Sequence, residues 1–166
     1  MSWAARCTTT RIEDTAYSLL GLLNINMTLL YSKGERAFVQ LQEEIICRSA
    51  DSLVFACFRG VQSGLLAPSL AYFGSCSKVI LCSSRTVAHS FELTHRGLRM
   101  KLPILKQRSK GNTFLAVLSC RIEDEFERVL CLHLKERMAD PTDSGETTLC
   151  LIEKCTPRCA KSQAQD

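Results

Sequence analysis

The chain has 166 residues, of which 46% are hydrophobic and 23% are charged, and its formal net charge is +4. This composition excludes a disordered chain, and the length fits one domain with a core of its own. No apolar run approaches the ~20 residues of a membrane span, so we expect no membrane partner. We expect no nucleic acid either, because aromatic residues are not interleaved with the nearest basic cluster, which is Lys101, Lys106, Arg108 and Lys110.

A helical pattern begins near residue 10. Thr10 and Glu13 have the spacing of a capping box, in which each side chain bonds the backbone N–H of the other residue. Apolar residues then recur at helical spacing on one face, at Ile12, Ala16, Leu19, Leu20 and Leu23. These features predict a first helix that begins at Thr10 and ends near Asn24.

A second helix is predicted over residues 35–47, after the turn at Ser32, Lys33 and Gly34. Its expected buried stripe consists of Ala37, Phe38, Leu41, Ile45 and Ile46. Its expected solvated face consists of Glu35, Arg36, Gln40, Gln42, Glu43 and Glu44. Two antiparallel helices are the simplest arrangement for residues 1–50.

Strand-like patterns dominate after residue 50. An apolar, β-rich run at residues 53–58 predicts a strand, and residues 64–69 predict a loop in which Ser69 caps a short helical turn. Residues 91–94 and 98–102 predict a hairpin across residues 95–97, because Gly97 can adopt a positive φ. Pro103 indicates that the second arm frays or lies at an edge.

Three further strands are predicted at residues 114–119, 129–134 and 147–153. The fold class is therefore α+β, with an N-terminal antiparallel helix pair followed by a small, mainly antiparallel β-sandwich or barrel. Residues 1–50 form the helical segment, residues 51–155 form the β-rich region of the same domain, and residues 156–166 form a flexible tail.

Ten cysteines are an unusually high number for a chain of this length. The first thirty residues lack the pattern of an export signal, so we expect a cytoplasmic protein with reduced thiols. No C-x-x-C pair occurs, and only Cys150, Cys155 and Cys159 are spaced closely enough to share a metal. A cysteine-based metal-binding or redox module is therefore the alternative function.

The residue types needed for catalysis do not form a recognisable pattern. The chain has neither a G-x-S-x-G motif nor a phosphate-binding loop, and its paired carboxylates at residues 43–44 and 123–125 fit solvated surfaces. With ten cysteines and three histidines, a Cys–His pair is too unspecific to indicate a nucleophile. We therefore expect no enzyme activity, no catalytic, cofactor-binding or metal-ligating residues, and no cofactor.

One long stretch resembles a known family. The segment "MSWAARCTTTRIEDTAYSLLGLLNINMTLLYSKGERAFVQLQEEII" is similar to the region that follows the HET domain in fungal heterokaryon-incompatibility (HET domain) proteins. Shorter pieces agree in the same order, at residues 64–69, 94–98 and 114–118. The resemblance covers roughly residues 1–120. Departures from the family pattern occur at Thr28, at Ser32 with Lys33, and at Cys57.

The resemblance implies a role in fungal non-self recognition, in which fusion of incompatible hyphae triggers growth arrest or programmed cell death. The HET domain is the effector in that family and would precede Met1, so we expect a truncated paralogue or a fragment that lacks its effector. The expected function is a non-enzymatic interaction or regulatory domain that binds a HET-type effector domain in cis or in trans. The oligomeric state is left open.

Overall fold

The structure is a computed structural model that describes residues 1–49, 51–56, 65–82, 91–95, 97–106, 113–124, 128–136, 149–154 and 158–159. It has the mixed helix and strand content of the predicted α+β class, and its sheets are antiparallel. A short 3₁₀ turn at Ser2–Ala4 begins the chain. Every helix in the described ranges is too short or too polar to cross a membrane.

The prediction of one continuous first helix is wrong. This segment consists of two single turns, α1 (Asp14–Tyr17) and α2 (Leu20–Leu23). Between them the Leu19 N–H bonds the Ala16 carbonyl, a tighter spacing than the α-helical one. The Ser18 hydroxyl bonds the Thr15 carbonyl, and Gly21 weakens the second turn. Asn24 ends α2 with φ 51°, close to the predicted end.

The predicted second helix is confirmed as α3 (Arg36–Arg48), which follows Gly34 at φ 56°. Of the predicted stripe, Ile45 is half-buried. The other four residues are buried: Ala37, Phe38, Leu41 and Ile46. Together α1, α2 and α3 give the short helix pair that the sequence predicted, with a broken first member.

Two hydrophobic clusters meet at α3. The first cluster lies on the helical side and comprises Ala4, Ala16, Leu19, Ile25, Ala37, Phe38, Leu41, Ala67, Leu70, Phe73 and Cys76. The second cluster lies on the sheet and comprises Ile46, Val54, Phe55, Ala56, Ala116, Leu118, Cys120, Leu130 and Leu132. Ile45 packs against both clusters. One helix therefore contributes to both clusters.

Gln42 was predicted to be solvated, and this prediction is wrong, because its side chain is completely buried. Its amide nitrogen donates to the carbonyls of Ala67, at 2.7 Å, and Phe38, at 3.2 Å. Its amide oxygen accepts from the Ala67 N–H at 2.9 Å. The amide thus pairs with the backbone of Ala67 as a neighbouring strand would, which satisfies two polar groups in the first cluster.

The prediction of a strand at residues 53–58 is also wrong over residues 53–56, which the structure describes. Ser52–Phe55 forms a 3₁₀ helix, because the Asp51 carboxylate accepts from the Leu53 N–H at 2.9 Å and starts a turn. The apolar character was informative about burial, since Val54 and Phe55 are both buried. Residues 57 and 58 lie outside the described residues.

A second 3₁₀ helix, Leu70–Phe73, confirms the helical turn predicted after Ser69. Ser69 occupies the N-cap position, but its side chain makes no capping hydrogen bond. Leu70 and Phe73 point into the first cluster, where the Phe73 ring meets the Phe38 ring edge-on at 6.2 Å. This turn joins the loop at Ala67 to the strands that follow.

The main sheet has six strands, β1 (Val79–Leu81), β4 (Ile104–Lys106), β5 (Thr113–Ile122), β6 (Arg128–Glu136), β7 (Leu149–Lys154) and β8 (Arg158–Cys159). β1 and β4 pair with one side of β5, and β6 pairs with the other. β7 and β8 pair with the far side of β6. The described strands form an open sheet, so a closed barrel is wrong, and a sandwich stays a prediction.

The hairpin is confirmed as β2 (Phe91–Thr94) and β3 (Gly97–Met100). Thr94 pairs with Gly97, whose φ of 132° meets the predicted need for glycine. β3 ends at Met100 and, within the described residues, pairs only with β2, which agrees with the fraying or edge position that Pro103 indicated for this arm. The three later strands are confirmed as β5, β6 and β7, whereas β1 and β4 were missed. β8 belongs to the segment predicted as a tail, most of which lies outside the described residues.

Replacing Gln42 with leucine should lower the free energy of unfolding by ~2–4 kcal/mol, because the buried N–H and C=O of Ala67 lose their partners. Urea denaturation followed by circular dichroism measures the change. Gln40→Leu is the matched control, since half-buried Gln40 only accepts from the Lys33 ammonium. Equal effects of the two substitutions would contradict the assigned role of Gln42.

Replacing Ser52 with alanine should raise the free energy of unfolding by about 1 kcal/mol. Ser52 is 1% exposed, and among the described residues no hydrogen-bond partner reaches its buried hydroxyl. The variant removes this unpaired group with little loss of volume. Ser69→Ala serves as the control and should change stability by less than about 0.5 kcal/mol. A destabilised Ser52→Ala protein would show that the hydroxyl has a partner.

Candidate protein-interaction site

The Glu13 side chain does not form the predicted capping box. Its carboxylate oxygen accepts from the backbone N–H groups of Ser32, at 2.9 Å, and Gly34, at 3.0 Å. Both residues have positive φ, 105° and 56° respectively, and successive N–H groups in such turns converge on an anion. The Glu13 carboxylate therefore bonds the backbone of this loop, whereas the sequence predicted that it would bond the Thr10 N–H. Glu13 is 7% exposed, so this contact is shielded from solvent.

Tyr17 lies four residues after Glu13 and contacts the same loop. Its hydroxyl donates to the Leu30 carbonyl at 2.6 Å and accepts from the Leu30 N–H at 2.9 Å. Its ring meets the ring of Tyr31 edge-on, with centroids 5.4 Å apart. One side chain thus satisfies both backbone groups of Leu30 and also packs against the next residue.

Tyr31 has two further contacts with the start of the helical segment. The Arg11 guanidinium lies 4.9 Å from the centroid of the Tyr31 ring, in cation–π range. The Asp14 carboxylate, as a hydrogen-bond acceptor and a negative charge for the Tyr31 hydroxyl, raises the pKa of Tyr31. We call residues 29–34 the anchored loop, because Glu13 and Tyr17 bond four of its backbone groups, which belong to Leu30, Ser32 and Gly34.

The anchored loop exposes apolar side chains although its backbone is fixed. Leu29 is 52% exposed, Leu30 46% and Tyr31 47%, and Ile12 nearby is 50% exposed. In the sequence, Ile12 lies between Arg11, which contacts Tyr31, and Glu13, which bonds Ser32. We call Ile12, Leu29, Leu30 and Tyr31 the apolar patch. Exposed apolar groups on a fixed backbone are typical of protein-interaction sites.

The apolar patch belongs to the part of the chain with most of the exposed apolar surface. Eleven large hydrophobic residues are exposed among the described ones, and six of them lie between residues 12 and 31. They are Ile12, Leu22, Leu23, Leu29, Leu30 and Tyr31. The others are dispersed over the first turn, the hairpin and the edge strands, so the helical side is the better candidate for binding a partner.

The sequence did contain a signal for Glu13. It precedes Ala16 and Leu20 by three and seven residues, so it shares their apolar face. A carboxylate on an apolar face needs a polar partner in the fold. Nothing local identifies that partner, since Ser32 and Gly34 lie 19 and 21 residues further on.

The carboxylates predicted to be solvated behave as surface groups where the structure describes them. Glu44 lies 4.0 Å from Arg48 on α3, and both side chains are at least a third exposed. Asp124 pairs with Lys78 on the surface, and this hydrogen bond raises the pKa of Lys78. Glu125 lies outside the described residues. These contacts are ordinary surface ion pairs.

The cysteines form no metal cluster within the described ranges. Cys150 pairs with Lys135 and Cys159 with Arg128, at positions seven residues apart on β6. At ~3.3 Å per residue that separation is ~23 Å, whereas two zinc-bound sulfurs lie within about 4.6 Å of each other. The backbone positions of these two cysteines therefore lie much further apart than two ligands of one ion, and Cys155 lies outside the described residues.

The structure describes the side chains of six cysteines: Cys7, Cys47, Cys76, Cys82, Cys120 and Cys131. Burial raises the pKa of the Cys131 thiol, which keeps it protonated and unreactive. Cys76 donates to the Ala56 carbonyl and contributes to the first cluster. Cys76, Cys120 and Cys131 are buried, so these three behave as core residues.

Comparison with known proteins finds one local similarity. Over 46 residues the chain is 44% identical to the vegetative incompatibility protein HET-E-1 of Podospora anserina. The matched stretch is 27% of this chain and 3% of that protein, so the chain spans only a small part of this relative. No protein-family model and no solved structure matches the chain. The similarity supports a loose link to incompatibility proteins.

Replacing Glu13 with glutamine should destabilise the protein in a pH-dependent way. Hydrogen bonds from the backbone N–H groups of Glu13 itself, Gly34 and Ser32 lower the pKa of this carboxyl group. A lowered folded-state pKa contributes stability above the ordinary glutamate pKa of about 4.3, and this stability is lost as the pH falls through the folded-state value. The wild-type advantage should therefore be full at about pH 7 and decline below about pH 4.

Urea denaturation of both proteins between about pH 7 and pH 3 measures this difference. Glu35→Gln, which changes an exposed carboxylate at the start of α3, is the control. A difference between wild type and Glu13→Gln that stays constant with pH would contradict the ionised contact.

Proposed function

We propose that this chain is a non-enzymatic interaction domain of a heterokaryon (vegetative) incompatibility-type protein, which acts in the cytoplasm in fungal non-self recognition. Its apolar patch binds a HET-type effector domain, in cis or in trans. The observation that carries the proposal is the apolar patch on a loop with a fixed backbone. The local identity to HET-E-1 supports the class of process.

The family resemblance supports this choice of partner, because it implies that a HET domain precedes the matching segment in related proteins.

The size of the patch sets the expected affinity. Four half-exposed apolar side chains cover less area than a standard protein–protein interface, which is typical of weak and transient complexes. Because the loop backbone is already fixed, little further ordering is needed, and we expect a Kd in the micromolar range.

The proposal predicts that Leu30→Asp weakens binding to a HET domain at least about tenfold, because a charge replaces a central apolar contact. The partner is a purified HET domain from an incompatibility protein in which it directly precedes a segment that matches residues 1–46. Isothermal titration calorimetry measures the Kd, and circular dichroism verifies that each variant is folded.

Leu93→Asp is the matched control, since Leu93 is 42% exposed on the hairpin and Leu30 is 46% exposed. We expect the control to change the Kd less than about twofold. Wild-type protein that shows no saturable binding at about 100 µM partner would overturn the proposal, and so would equal losses in the two variants.

A further inference from the structure

We infer that Glu13 and Tyr17 are positioning residues of the interaction site, which fix the anchored loop in the conformation that exposes Leu29 and Leu30. This inference rests on the proposed function. It adds a division of roles, because the residues that shape the binding surface differ from those that touch the partner.

The loop has an unfavourable backbone conformation of its own. Ser32 has a φ of 105°, which is outside the left-handed helical region that L-residues tolerate best. A residue in such a conformation costs about 1–3 kcal/mol and persists only where surrounding contacts impose it. The Glu13 carboxylate supplies that constraint, since it takes the N–H groups of Ser32 and Gly34 on either side of Lys33.

The Tyr17 hydroxyl determines the orientation of Leu30. It accepts from the N–H of that residue and donates to its carbonyl, so the Leu30 peptide groups cannot rotate without breaking a hydrogen bond. With its backbone groups directed at Tyr17, the Leu30 side chain is left 46% exposed. A loop without this contact would be able to turn its leucines onto the first cluster, because apolar burial is favourable.

Glu13 and Tyr17 act from one rigid element. They are four residues apart, so their side chains lie on the same face of the turn around α1. Ala16 between them is completely buried in the first cluster and fixes that turn. Glu13 itself is 7% exposed, which leaves little of it for a partner to contact. Both residues therefore influence binding through the loop.

Tyr17→Phe tests the inference, because it removes the hydroxyl oxygen and keeps the ring that packs against Tyr31. In the free protein, amide hydrogen exchange at Leu30 should accelerate at least about tenfold, while exchange in α3 stays unchanged. Tyr72→Phe is the matched control, since Tyr72 also packs on the first cluster and does not contact the loop through its hydroxyl. We expect it to leave exchange at Leu30 unaltered.

A double-mutant cycle with the HET domain then separates positioning from direct contact. Tyr17→Phe should weaken binding about fivefold in wild type and less than about twofold in Leu30→Ala protein, because its effect passes through Leu30. Additive losses would overturn the inference, and so would unchanged exchange at Leu30 in Tyr17→Phe. If the wild type does not bind the HET domain, the proposed function fails, and the exchange experiment alone decides whether Tyr17 fixes the loop.

Discussion

The fold depends on the contact between Gln42 and Ala67 at the junction of two hydrophobic clusters. Ala67 belongs to the first cluster, whereas Leu65 and Leu66 just before it pack against the second. The chain therefore crosses from one cluster to the other at Ala67, where its backbone groups are buried. The Gln42 amide satisfies both of them from α3, the helix that contributes to both clusters. Without this contact the crossing would leave buried polar groups unpaired.

The same device recurs in the irregular parts of the chain. Glu13 bonds the backbone of Ser32 and Gly34, and Tyr17 bonds the backbone of Leu30. Helices of one turn, such as α1 and α2, cannot stabilise themselves by their own hydrogen bonds. Side chains that bond distant backbone groups supply the missing order, and around the anchored loop they also create a surface with fixed geometry.

The elements that local patterns determine were predictable. The 13-residue α3 has enough turns for its period to be read, and Gly97 identifies the hairpin directly. The strand prediction for residues 53–58 was wrong because an apolar stretch of that length indicates burial but does not distinguish a strand from a turn. Strands β1 and β4 have three residues each, which is too short for an alternating pattern to be visible.

The candidate interaction site was less predictable, because it depends on contacts between residues far apart in the chain. Thr10 and Glu13 fit a capping box at the level of sequence, and only the fold brings Ser32 and Gly34 within reach of the carboxylate. Gln42 was misread for the same reason, since Ala67 lies 25 residues away. Exposure of Leu29 and Leu30 also follows from the tertiary structure, as their residue type alone favours burial.

Tyr17 anchors the loop through the main chain of Leu30, and this has a consequence for sequence variation. A main-chain contact does not depend on which side chain the anchored residue has. Positions 29 and 30 can therefore accept other amino acids while the loop keeps its shape, and each replacement presents a different chemical group at the same place. The residues that hold the loop are thus distinct from the side chains that the loop exposes, so point substitutions can change the exposed chemistry without a new fold.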